Sequence, residues 1–433
     1  MSKPTPTSLR VTSKVAFAAV IGTILDYYDL FIFSVAAATV FSTLFFPQSD
    51  PAAAFALSLA TIGIIYFTRP VGAAIFGHFG DKLGRRTTLM YALVLMGVGM
   101  LGIGLAPTYA QAGLIGAVLV SFFRLIQGIG LGGEYGNAVT LVIEHVEKRR
   151  SLWTSLIWAG VSIGATTASL LFTLAVVLSG GANTPTFVNY GWRALFLFGA
   201  AVVVVAGAIR YMISESPVFQ AIKQKGVVEQ LPAFMVLKEQ LSRILSFAVI
   251  GVFTIPGVIL IPFITAYGVT IGIPVALVTL AATVGGFVGI CTCIVGGHLG
   301  DVVGRKNVVL IAAIVSLLMT YPVFLLLGTK SLPFIILAFA IEQGATNFAG
   351  GSIGALMSET FPTRRRASGV GLSYNFMTLI CAIVAAVVFA PIIAAYGVAS
   401  SIQYILAVYG IFCFVAILLL LLIKETKGSQ LIE

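Results

Sequence analysis

Residues Gly77-His78-Phe79-Gly80-Asp81-Lys82-Leu83-Gly84-Arg85-Arg86 return as Gly297-His298-Leu299-Gly300-Asp301-Val302-Val303-Gly304-Arg305-Lys306. Six of the ten positions are identical, and each lies 220 residues beyond its counterpart. Both copies stand between two long apolar runs. A second pair agrees with the first. Glu144 precedes Lys148-Arg149-Arg150, and Glu359, 215 residues on, precedes Arg364-Arg365-Arg366. The chain therefore reads as one unit repeated.

The composition says what the unit is made of. Of 433 residues, 59% are hydrophobic and 9% charged, against roughly 25% charged in soluble domains. The mean hydropathy is +1.07. These values exclude a soluble globular chain and a disordered one. A helix needs about 20 apolar residues to cross about 30 Å of hydrocarbon. Twelve candidates are found, at 15–43, 54–76, 88–106, 112–140, 152–179, 192–213, 244–267, 274–299, 308–328, 333–357, 368–395 and 401–423. Pro107, Pro185, Pro274 and Pro333 punctuate the breaks. The apolar run from Val15 to Phe46 is too long for a signal peptide and reads as a retained first span.

The basic residues give direction. With the N-terminus in the cytoplasm, the seven segments on that side hold 21 of the 25 Lys and Arg. The opposite loops hold only Arg193 and Lys330, while Arg69 and Arg124 fall inside spans. This asymmetry predicts both termini inside and accounts for the net charge of +10 without a nucleic-acid partner. The expected fold is an all-α membrane protein with twelve transmembrane helices in two six-helix halves, 1–213 and 244–433. A cytoplasmic linker, 214–243, joins them, with Ser216 as N-cap and Pro217 as first helical residue. Duplicated halves with a shared site at mid-membrane are a transporter layout.

The loop pattern Gly-x-x-x-Asp-x-x-Gly-Arg-Arg/Lys resembles the signature of the major facilitator superfamily. Further stretches resemble its metabolite–proton symporter family, which includes carriers of shikimate, α-ketoglutarate, citrate and proline/betaine. They are Asp26-Tyr27-Tyr28-Asp29-Leu30, Arg69-Pro70-Val71-Gly72, Arg124 to Gly128, Gly132-Gly133-Glu134-Tyr135-Gly136, Glu359-Thr360-Phe361-Pro362 and Arg366-Ala367-Ser368-Gly369. The resemblance implies a major facilitator fold, a prokaryotic inner membrane and a proton-coupling pair at Asp29 and Arg124. The seventh candidate, with Thr254-Ile255-Pro256-Gly257 and one tyrosine, Tyr267, departs from relatives that are more aromatic there.

Charges in the bilayer are costly and usually functional. Six stand at depth: Asp26, Asp29, Arg69, Arg124, Glu134 and Glu342. Asp26 and Asp29 are one helical turn apart. Two carboxylates so close at low dielectric do not readily both ionise, which suits a proton carrier. Arg124 matches their depth and is expected to pair with Asp29 until protonation releases it; a fixed structural pair is the other reading. Glu134 shares a helix face with Arg124 and Gln127 and reads as an inner proton acceptor, a gate partner or a plain interhelical bond. Tyr27, Tyr28, Arg69, Arg124, Gln127 and Glu342 are candidates for substrate contact. Arg69 could equally snorkel to the interface, and Glu342 could carry a second proton or be structural. Asp81, Arg85, Arg86, Glu144, Asp301, Arg305 and Glu359 are expected to latch the halves shut on the cytoplasmic side; their other reading is topology alone.

The leading expectation is uptake of a small polar metabolite, an organic acid first, by proton symport and alternating access. An antiporter, exporter or uniporter of the same fold stays open, and a membrane sensor is a weaker alternative. An enzyme is not expected, since His78, His145 and His298 sit near span ends without a ligand-spaced cluster or a nucleophile partner. No cofactor or metal is expected. The partners are substrate, protons and lipid, and a monomer suffices. Cys291, Cys293, Cys381 and Cys413 lie in apolar stretches and read as small fillers.

Overall fold

The computed structural model describes residues 9–47, 51–182, 184–224, 231–254 and 256–429. Among the basic residues counted above, Lys3 and Lys225 lie outside them, as does Ile255. The described chain is helical. The principal helices are α1 (Leu9–Ala36), α2 (Pro51–Leu83), α3 (Arg85–Leu105), α4 (Leu114–His145), α5 (Arg150–Leu178), α6 (Trp192–Tyr211) and the short α7 (Pro217–Gln224). They continue as α8 (Pro232–Gly251), α9 (Pro256–Thr270), α10 (Val275–Val303), α11 (Arg305–Gly328), α12 (Leu332–Thr360), α13 (Arg366–Ile383), α14 (Ala390–Ser400) and α15 (Ile402–Leu422). Hydrocarbon offers no partner for backbone polar groups, so continuous helices are the form such apolar runs must take.

Among the described residues, eleven helical stretches are long and apolar enough to cross a membrane. The seventh candidate, 244–267, is not one of them. A single 3₁₀ turn at Val252–Thr254 ends α8, and a new helix starts at Pro256. Proline lacks the N–H that an unbroken helix would need there and is suited to a first turn. The linker behaves as its sequence predicts at one point. Ser216 Oγ accepts from Phe219 N at 3.0 Å and caps α7. Phe219 is buried beneath the Arg85 guanidinium, 4.9 Å from its ring centroid.

The repeat in the sequence is a repeat in the packing. In the first set of helices α2 and α3 pack on α4, α1 on α5, and α3 on α6. In the second set α10 and α11 pack on α12, α8 on α13, and α11 on α15. The sets meet reciprocally: α2 and α4 against α13, α10 and α12 against α5. Small residues allow the close approaches. Gly128 and Gly132 of α4 face the α2 backbone, Gly160 and Gly164 of α5 face α1, and Gly285 and Gly289 of α10 face α12. A Cβ on Gly136 would stand 2.6 Å from the Gly371 backbone where α4 crosses α13. Gly84 and Gly304, the matched loop glycines, turn the chain at φ +117° and +113°, a region that L side chains rarely adopt. Cys293, Cys381 and Cys413 are buried and Cys291 exposed, all as free thiols.

Candidate functional site

Six buried charges gather in the interior of the first set: Asp26, Asp29, Arg69, Arg124, Glu134 and Arg210. Arg124 Nη1 donates to Asp29 Oδ2 at 2.9 Å and to Gln127 Oε1 at 3.0 Å. Gln127 Nε2 closes the ring by donating to Asp29 Oδ1 at 2.9 Å. The i, i+3 spacing puts Arg124 and Gln127 on one face of α4, opposite Asp29 on α1. The guanidinium carbon lies 3.9 Å from the centroid of the Phe33 ring, a cation–π contact. Arg124 Nε and Nη2 are buried and have no hydrogen-bond partner. Asp26, one turn nearer the basic end and 3% exposed, carries a buried Oδ1 that also has none.

Glu134 has a partner that the sequence reading did not single out. Arg210 of α6 forms a two-pronged ion pair with it, Nη1 to Oε2 at 2.9 Å and Nη2 to Oε1. Arg210 also donates to Ala18 O and Leu89 O. Gly22 leaves the room; a Cβ there would run into both side chains. Arg210 lies within the 192–213 candidate but close to its end, where an Arg also reads as a topology signal.

Arg69 does not snorkel. It is 2% exposed, and its Nε donates across the two sets to Asn375 Oδ1 at 3.0 Å. Its guanidinium carbon lies 5.6 Å from the Tyr374 ring centroid. The Tyr27 and Tyr374 hydroxyls are 2.5 Å apart, and Tyr374 stacks on Tyr135 with centroids 3.8 Å apart. Trp158 closes on both rings edge-on. Tyr27 thus belongs to an aromatic floor shared by the two sets. The Tyr28 hydroxyl donates to Leu195 O of α6 at 2.8 Å, within its own set. Glu342 of α12 is 2% exposed, with Tyr409 Oη at 3.5 Å.

The loop residues form two matched joints at the basic end. Asp81 accepts from Ala367 N at 3.2 Å, Ser368 N at 3.0 Å and Ser368 Oγ at 2.8 Å, at the start of α13. Asp301 accepts from Ser151 N at 3.1 Å and Leu152 N at 2.9 Å, at the start of α5. Each carboxylate therefore crosses to the other set and meets free N–H groups at the positive end of a helix. Arg85 and Arg305 pair with these aspartates at 3.2 and 3.1 Å. Glu144 joins Arg85 to Arg366, and Glu359 joins Arg305 to Arg150. Two further residues complete the pattern. Glu215 accepts from Arg85 N and Arg86 N, and Glu425 from Arg305 N and Lys306 N. Their neighbours Ser216 and Thr426 donate to Glu144 and Glu359. Glu215-Ser216 and Glu425-Thr426, after the last span of each half, are a repeat signal that a wider comparison of the halves would have found. Arg86 does not bridge the sets. It donates to Arg210 O and Tyr211 O at the end of α6, in its own set.

Two outcomes are expected. Replacing Arg210 by Met strands a buried carboxylate, a loss of about 3–5 kcal/mol. The thermal midpoint of the purified protein should fall steeply and recover in large part when Glu134→Gln is added; equal midpoints for single and double variants would show that the two do not act as a pair. Asp81→Asn removes a charge-assisted bond of roughly 1.5–3 kcal/mol. In a protein whose sole cysteine is the buried Cys293 between α5 and α10, alkylation should then quicken by about tenfold, as roughly 1.4 kcal/mol requires. An unchanged rate would mean that Asp81 does not hold this end shut.

Residues 19–386 match the Major Facilitator Superfamily. The inner membrane metabolite transport protein YhjE of Escherichia coli (strain K12) is 34% identical over 437 residues, covering 98% of this chain and 97% of that one. The shikimate transporter of the same organism is 29% identical over 385 residues, covering 86% of each. Among solved structures, the proton:xylose symporter XylE bound to 6-bromo-6-deoxy-D-glucose superposes with a TM-score of 0.79 at 17% identity, covering 98% of both chains. The duplicated loops, the reciprocal packing and these similarities agree, and the chain belongs to the Major Facilitator Superfamily as a multi-pass membrane transporter of metabolites and not an enzyme.

Proposed function

We propose that the chain is a proton-coupled symporter that takes up a small organic acid across a prokaryotic inner membrane by alternating access. It crosses twelve times, with both termini in the cytoplasm and halves 1–213 and 244–433 rocking about a mid-membrane site on either side of the 214–243 linker. The observation that carries the reading is the state of Arg124. It is buried, bound to Asp29 by one nitrogen, and keeps two N–H-bearing nitrogens without a partner. A guanidinium so placed is suited to a carboxylate, which it binds through two parallel bonds.

Charge supports the pairing of proton and anion. Arginines stay protonated in proteins. Arg69, Arg124 and Arg210 stand among Asp26, Asp29 and Glu134, so the cluster is neutral when every carboxylate is ionised. A proton on Asp29 frees Arg124 and leaves one positive charge. A monocarboxylate then restores neutrality in a region where net charge is costly. Proton and acid are favoured together and disfavoured singly, which is what coupling requires. Asp26 stands one turn away as a second acceptor on the path, and the Glu134–Arg210 pair lies beyond it. Below them the Tyr27–Tyr374 and Arg69–Asn375 contacts and the aspartate joints close the cytoplasmic side. They part when the carrier faces inward. The relative named a shikimate transporter supports the substrate class, since shikimate is an organic acid.

The reading is tested in proteoliposomes that hold the purified protein and a pH dye. External organic acids, sugars and zwitterions are added in turn. An organic acid should acidify the lumen, and Asp29→Asn should lower that signal by tenfold or more, the scale expected when about 1.4 kcal/mol or more of coupling is lost. Acid uptake without lumenal acidification, or full coupling in Asp29→Asn, would overturn it.

A further inference from the structure

The second set of helices holds one charge at depth, Glu342, and the mechanism above does not use it. Its surroundings differ in kind from those of Asp29. Glu342 is 2% exposed and has no basic side chain beside it among the described residues. The titratable groups facing it are Tyr409 and Cys413, both on α15 and both buried. Of the charged residues on the helices around α12, Arg124 and Glu134 of α4, at depth, are paired with Asp29 and Arg210, and Glu144, Arg150, Asp301, Arg305 and Arg366 stand at the basic end. Glu359 marks that level on α12 itself, about 25 Å along the axis from Glu342 at 1.5 Å per residue. An ionised carboxylate without a cation or several donors is not tolerated in such a place.

Hydrogen-bond direction fits the same protonation state. Tyr409 Oη lies 3.3 Å from Phe253 O and 3.5 Å from Glu342 Oε1. A phenol has one hydrogen to give, and a backbone carbonyl only accepts. That hydrogen can go to Phe253 O, the nearer acceptor, or to Glu342 Oε1; when it lies on Phe253 O, a protonated Glu342 donates to the phenol oxygen in return. The sequence of donors then runs from Glu342 to Tyr409 to Phe253. Phe253 is the middle residue of the 3₁₀ turn that divides α8 from α9.

We propose that Glu342 is a second proton-binding site, distinct from Asp29, whose carboxylic acid is held by Tyr409 and linked through it to the broken seventh crossing. Loss of this proton leaves a bare carboxylate beside the break. The tyrosine hydrogen would turn to it and release Phe253 O, so the proton's presence favours the packing of α8, α12 and α15 seen here. The site stands on its own geometry; its use in coupling rests on the symport reading above.

Infrared spectroscopy of the full-length protein in lipid nanodiscs at neutral pH tests it without any substrate. Wild type should show a buried carboxylic-acid C=O band whose intensity falls by one group in Glu342→Gln and is kept in Asp29→Asn. Tyr409→Phe should keep the band and move it to higher frequency, because the acid loses its acceptor. This second variant serves if Glu342→Gln folds poorly. An acid band unchanged in Glu342→Gln, or a loss from the carboxylate region instead, would overturn the proposal. So would a band that Tyr409→Phe leaves in place. Acid uptake without lumenal acidification would refute the symport reading, and full proton coupling in Asp29→Asn liposomes the role given there to Asp29; either leaves this assignment intact.

Discussion

A charge in hydrocarbon has to be answered by another charge or by a proton, and the middle of this molecule is arranged around that constraint. Asp29 is answered by Arg124, and Glu134 by Arg210. Neither pair is at the surface, where an ion pair contributes little. Both stand where removing one partner leaves the other exposed to a low dielectric. The first set of helices therefore has its polar interior fixed by pairs that only change together. Among the described residues, the second set has no such pair at depth; its buried polar side chains there, such as Gln343, Thr346 and Asn375, are uncharged apart from Glu342. Two halves with matching folds thus differ in their middles: one holds paired charges, the other a lone carboxyl.

The same constraint explains why the matched features lie at one end. The joints at Asp81 and Asp301 each set a carboxylate against the N-terminus of a helix in the opposite set. Helix N-termini must find acceptors in any case. Using them to join two bodies adds affinity without burying a new unpaired group when the joint opens toward water. A latch of interlocked apolar side chains would lack that property, since its surface would be exposed on opening. The bonds that join the sets run from this end up to Tyr27, Arg69 and Asn347 at mid-height. The structure is thus one in which the basic end is shut.

The legible part of this fold was what repeats locally. Ten residues of loop, read twice, gave the duplication, and helical spacing set Arg124 and Gln127 on one face. The depth of Asp29 and Arg124 followed from counting residues into a span. What stayed hidden depends on distant parts of the chain. Nothing local marks Tyr374 or Asn375, because their meaning comes from Tyr27 and Arg69, some 300 residues away. Arg210 looked like a topology signal because it stands near a span end, and its burial depends on how α6 leans on α1 and α4. Tyr28 and Arg86 bond within their own set for the opposite reason. Each sits in a motif beside a residue that does face the other set, and one step along a helix turns a side chain by about 100°.

That last point bears on how the central site is built. Tyr27, Tyr28 and Asp29 are consecutive, yet each meets a different neighbour: Tyr374 of the second set, Leu195 of α6, and Arg124 of α4. One turn of α1 therefore touches both a charge pair and the partner set. On the proposed symport reading, protonating a carboxyl on this turn would alter the same short segment whose tyrosine meets the second set. Proton and seam would then be linked by two side chains on one helical turn, with no long chain of intermediaries between them.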